Sequence, residues 1–131
     1  MAEPDDIEPL LREARTLIRQ LADQRPFGPE IAELTFYIDL GLDKIRIVLE
    51  TEASARQRQR DIRVLGKQLA EHTDELVKRI KRRPKYSTIE FKCLDDFEKC
   101  KEHRSKDDLF CLLSYLICIL RRIIPFVRQT T

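Results

Sequence analysis

The stretch IEFKCLDDFEKCKEHRSKDDLFCLLSYLICILRRIIP, residues 89–125, carries two helical signatures in succession. In its first part Ile89, Cys93, Leu94, Phe97 and Cys100 return at three- and four-residue spacing, the period that aligns side chains on one face of a short helix. From Leu109 to Leu120 the chain is apolar on almost every side, which predicts a buried, central helix with Pro125 near its end. Between the two, a turn near Arg104 and the pair Ser105 and Asp108 read as the capping box of the second helix. Ser87 with Glu90 reads as the box that opens the first.

Upstream the same period continues. Ile7, Leu10, Leu11, Ala14, Leu17, Ile18 and Leu21 predict a first helix from near Asp6 to Arg25, stopped by Pro26. Gly28 and Pro29 open a second, whose apolar face is Ile31, Leu34, Ile38, Leu42, Ile45, Val48 and Leu49. Gly41 inside it costs about 1 kcal/mol against alanine and is read as tolerated or as a site of close packing. The segment TEASARQRQR then lacks a large apolar residue, and Ile62, Leu65, Leu69, Leu76 and Ile80 set up a new seam. Ser54 with Gln57 is a third capping box and predicts a break there; without it, residues 29–83 would form one helix that pairs with another chain as a coiled coil.

The expectation is therefore an all-α domain over residues 1–131, a bundle of four or five antiparallel amphipathic helices ending in a helical hairpin. Three glycines and six prolines leave little material for tight turns, and 37% charged residues beside 42% apolar ones fit wet outer faces over aliphatic seams. The acidic, proline-broken start MAEPDDIEP does not read as a secretory signal. The run Leu109 to Leu120 is short of the roughly 20 residues of a membrane span, and lengthening it takes in Arg121 and Arg122. No transmembrane segment is expected.

Cys93 and Cys100 are spaced like Cys111 and Cys118, two turns apart on one face of each helix. An antiparallel hairpin mirrored about residues 105 and 106 sets Cys93 opposite Cys118 and Cys100 opposite Cys111, within reach of disulfides. The competing reading treats cysteine as a small hydrophobe, with reduced thiols in cytoplasm or nucleus. Residues 93–118 resemble the helical hairpins of twin-CxnC proteins of the mitochondrial intermembrane space, which use other spacings than the six intervening residues here. That resemblance implies oxidised pairs and that compartment. Cys100, His103 and Cys111 make an incomplete zinc set lacking a fourth ligand, so neither metal nor cofactor is expected.

The chain's net charge of +2 hides asymmetry: residues 1–55 carry six basic and twelve acidic side chains, residues 56–85 eleven and four. Either an acidic and a basic helix match within the molecule, or a basic surface meets an acidic partner. Arg56, Arg60, Arg63 and Lys67 fall on one helical stripe, read as roughly opposite the Ile62, Leu65, Leu69 seam. Lys78, Arg79, Lys81, Arg82, Arg83 and Lys85 extend the basic character to the helix end, where cations also favour the macrodipole. Short basic runs of this kind also resemble nuclear-import signals. His72 is read as a core histidine on the seam. With no nucleophile beside a base, phosphate loop, HExxH or di-iron motif, the chain is expected not to be an enzyme. The expected role is protein interaction or self-association, using the surplus apolar surface of the last helix or the seam of helices 2 and 3. Alternatives are binding of nucleic acid or an anionic surface through residues 56–85, and a disulfide-stapled hairpin protein.

Overall fold

The period-3.6 seams become five helices in the computed structural model, which describes residues 4–23, 28–52, 54–102 and 108–128. They are α1 (Pro4–Ala22), α2 (Pro29–Glu50), α3 (Ala55–Lys81), α4 (Cys93–Glu102) and α5 (Asp108–Arg128), with one turn of 3-10 helix at Pro84–Tyr86. The positions assigned to Pro26, Arg104 and the Ser105 cap lie outside the described residues.

Helix starts follow local chemistry unevenly. Gly28 caps α2 with Pro29 in its first turn. Ser54 caps α3 by accepting the Gln57 amide at 3.1 Å, so α2 and α3 are separate helices and the single long helix is excluded. Only half of that capping box forms, because the Gln57 side chain donates to Asp61 at 3.0 Å. The box expected at Ser87 does not open α4. Ser87 Oγ donates instead to the Pro84 carbonyl, and burial of Tyr86 and Ile89 holds the chain out of helix until Cys93.

Helices α1, α2, α3 and α5 form a closed ring of neighbours, α1 against α2, α2 against α3, α3 against α5 and α5 against α1. Successive helices reverse direction: Arg79 reaches Glu33 and Arg83 reaches Glu30 while Tyr37 bonds the Gln68 carbonyl, so α2 and α3 run antiparallel. The pairs Arg63 with Asp108 and Ala70 with Tyr115 show α3 and α5 running parallel, since α4 makes the intervening return. Arg121 of α5 pairs with Glu13 of α1, and Arg15 of α1 with Asp43 of α2 at 3.2 Å.

The core is where the sequence seams meet. Leu34, Ile38, Leu42, Ile45, Leu76, Ile80, Leu113, Leu116, Leu120 and Ile123 are fully buried. Gly41 is a packing site: a methyl built there would lie 2.5 Å from Leu69 Cδ2 of α3. Asp108–Val127 is long and apolar enough by composition to cross a membrane, with mean hydropathy 2.0, a longer stretch than the run read from the sequence. In the fold it lies among α1, α3 and α4. Of this stretch 61% is buried there, and Phe110, Cys118 and Phe126 are partly buried.

Candidate functional site

The outward face of α2 carries Phe36, Leu40 and Ile47, which are 71%, 39% and 58% exposed. They recur at four and seven residues, so they form one stripe on the side of α2 opposite its buried Ile38, Leu42 and Ile45. Val64 is exposed on the outer side of α3. These four are the exposed large hydrophobic residues among the described part of the chain, and none belongs to α5. Their signal was in the sequence: apolar residues out of phase with a helix's own seam have no place in that helix's core. A reading that follows only the seam passes over them.

Beside the stripe both helices carry both signs. Asp39, Lys44, Arg46 and Glu50 are exposed on α2, and Arg56, Arg60 and Asp61 are exposed at the start of α3. Further along, the acidic and basic helices match each other within the molecule. Arg83 donates to Glu30 from Nη2 at 2.7 Å and from Nε at 3.1 Å, and Arg79 meets Glu33 at 3.5 Å. The Arg83 guanidinium, aided by the Glu30 backbone amide, holds the Glu30 carboxyl below its usual range. Lys78 is paired with Asp74 at 3.0 Å, and the Lys85 ammonium sits 5.0 Å from the Tyr86 ring centroid. Lys67, Lys81 and Arg82 are exposed.

The ten basic residues read from the sequence are thus not one surface. The stripe Arg56, Arg60, Arg63, Lys67 is exposed along its length, but the seam of α3 is broader than Ile62, Leu65 and Leu69. The buried line of α3 runs through Ile62, Gly66, Leu69, Ala70, Thr73, Leu76, Val77 and Ile80 toward α5, which leaves Arg63 at its edge, 2.8 Å from Asp108. Leu65 is only partly buried for the same reason.

Cys93 with Cys118 and Cys100 with Cys111 are disulfide-bonded, at Cα separations of 5.8 and 5.7 Å. Cys93 and Cys111 are 1% exposed, and their partners are partly buried. Between the two bridges is a pocket of about 160 Å³ that also meets Asp96, Phe97, Ser114 and Tyr115. Tyr115 donates to the Ala70 carbonyl, and burial, then the Asp74 carboxylate, pushes its phenol well above the ordinary range. With Cys100 and Cys111 joined to each other, neither is a thiolate for a set with His103, which lies outside the described residues. Among the described residues no group of three or more His, Cys, Asp or Glu is placed to hold a metal ion.

His72 is not a core residue. Its side chain is 37% exposed, its ring meets Tyr37 edge-on at 4.2 Å, and Nδ1 lies 3.9 Å from Glu75. With Gln68 and Glu71 these side chains line an open groove of about 390 Å³ between α2 and α3.

No family model matches the chain, and no curated protein and no solved structure matches it.

Proposed function

We propose that the chain is a non-enzymatic protein-interaction module that self-associates through the outward faces of α2 and α3. The carrying observation is the stripe Phe36, Leu40 and Ile47, large side chains left in water by a bundle that encloses its most apolar helix. A second copy of the chain is the occupant that the charges favour. A twofold pairing that lays α2 of each copy on α3 of the other sets Glu50 of each level with Arg60, and near Arg56, of the other, and receives Val64 against Ile47 of the stripe.

The test is mass in solution over a concentration series, by sedimentation or light scattering, for the native chain and for Phe36→Ser with Ile47→Ser. The native chain is expected to be a dimer that dissociates on dilution, and the variant a monomer with unchanged helical circular dichroism. A native chain that stays monomeric at all concentrations overturns the reading.

The alternative, an anionic polymer or surface on the basic helix, is supported by exposed Arg56, Arg60, Lys67, Lys81 and Arg82. It is weakened because Arg63, Lys78, Arg79 and Arg83 of the same basic segment are already paired with carboxylates and point to different neighbours. Binding to duplex DNA at low salt that is lost in Arg56→Ser with Arg60→Ser, in a chain without self-association, would favour it.

A further inference from the structure

A second surface lies on the other flank of α3. Where α3, α4 and the first residue of α5 meet, a cleft of about 230 Å³ opens. Its floor is apolar: Ile62 and Phe97 are 5% and 6% exposed, and Gly66 between them adds no side chain. Its rim is cationic. Arg63 and Lys67 stand one turn apart on α3, and Lys101 faces them from α4, its ammonium 5.1 Å from the Phe97 ring centroid. Among the described lining residues the carboxylate is Asp108, which accepts from Arg63 Nε at 2.8 Å and leaves other N–H groups of that guanidinium to a ligand. Those described residues set three cations against one acid.

We propose that this cleft binds a small organic anion, a phosphate or carboxylate head carried on an apolar group about the size of one ring. Each half of the ligand follows from one half of the lining. Lys67 and Lys101 approach from opposite walls and can share an anionic head between them, with the outer edge of Arg63 as a third donor. The apolar floor of Ile62, Gly66 and Phe97 takes the ring and gains from leaving water. The volume of about 230 Å³ gives room for one ring beside an anionic head, more than an inorganic phosphate alone would use. The surface proposed for self-association uses Arg56, Arg60 and Val64 and none of the side chains that line the cleft.

The experiment is titration of the full disulfide-bonded chain with phenyl phosphate, benzoate, inorganic phosphate and phenol, followed by amide chemical shifts in heteronuclear NMR. Phenyl phosphate is expected to saturate, with shifts centred on Gly66 and Phe97, and to bind at least about tenfold more tightly than inorganic phosphate or phenol. Benzoate distinguishes the head: affinity like that of phenyl phosphate assigns a general anion site, and much weaker affinity a phosphate site. Lys67→Ala with Lys101→Ala should lose about tenfold or more in affinity. Lys78→Ala, on the same helix but paired with Asp74, should not change it. Equal binding of phenyl phosphate and inorganic phosphate, shifts spread along Arg56 and Arg60 rather than in the cleft, or a double variant that binds like the native chain overturns the proposal. Oligomer mass is recorded in parallel, so failure here and failure of self-association are read separately.

Discussion

Two glycines on adjacent helices face opposite packing conditions. Alanine in place of glycine gains about 1 kcal/mol of helix propensity. At Gly41 the added methyl lies 2.5 Å from Leu69 Cδ2 and 3.1 Å from Cδ1, and Leu69 is 3% exposed, so the whole branch must move inside a filled core. Overpacking of that kind costs about 1 to 3 kcal/mol, for a net loss of about 1 kcal/mol at the middle of that range. At Gly66 the nearest atom, Leu112 Cδ2, is 3.6 Å away, an ordinary contact. Gly41→Ala should therefore lower the melting temperature by about 4 °C and Gly66→Ala should raise it, both read by thermal denaturation. Shifts of the same sign would show that the α2 to α3 contact is looser than described. Glu30 makes a second residue-scale case. Its carboxyl is held below 4.5 chiefly by the Arg83 hydrogen bonds, so the folded state favours the ionised form. That contribution is complete above the ordinary carboxylate pKa and is lost as pH falls through the lowered folded value. Native chain and Glu30→Gln should differ in melting temperature at neutral pH and converge as pH falls through that lowered value. A gap independent of pH would remove Glu30 as its source.

At the scale of elements, α4 is the most dependent on covalent help. Ten residues are too few for a helix to persist alone in water, and α4 packs mainly on α5, to which Cys93 and Cys100 tie it. Each bridge closes a short loop, and a loop of this order is worth about 3 kcal/mol, less for the second because one lies inside the other. Replacing all four cysteines by alanine should release α4 and spare the ring of α1, α2, α3 and α5. Hydrogen exchange would then show lost protection confined to residues 93–102 and lost phenyl phosphate binding, because Phe97 and Lys101 leave with the helix. Loss of protection throughout would mean that the hairpin holds the ring together. The pairing of these cysteines was legible because a hairpin converts sequence distance from its turn directly into register. The start of α4 was not, since Ser87 is an equally good cap on paper and tertiary burial of Tyr86 and Ile89 decides where it is used. Ser54 had no such competitor, and its local signal won.

At the scale of the molecule, what the sequence conceals is which helices become neighbours. Each seam names a buried face, but no seam says that α3 and α5 lie parallel, so neither the Arg63 to Asp108 pair nor the cleft beside it could be read from periodicity. The charge asymmetry was equally visible and equally undecided. The fold divides it: Arg79 and Arg83 pair with the acids of α2, while Arg56 and Arg60 stay exposed at the end of the α2–α3 face where Glu50 is exposed too. In the twofold dimer proposed above, Glu50 of one copy meets Arg56 and Arg60 of the other, which makes self-association testable by exchange of sign. A chain with Arg56→Glu and Arg60→Glu should not pair with itself, because acids then face an acid. A chain with Glu50→Lys should fail likewise, because cations face cations. Mixed, each α2 finds an α3 of opposite sign in both halves of the interface, so a heterodimer should form and be visible by native mass spectrometry. It should weaken as ionic strength rises past about 0.1 M, where exposed charges about 10 Å apart are largely screened. If both reversed chains dimerise alone, the association does not run from α2 to α3; if the mixture stays monomeric, the complementary edges do not meet.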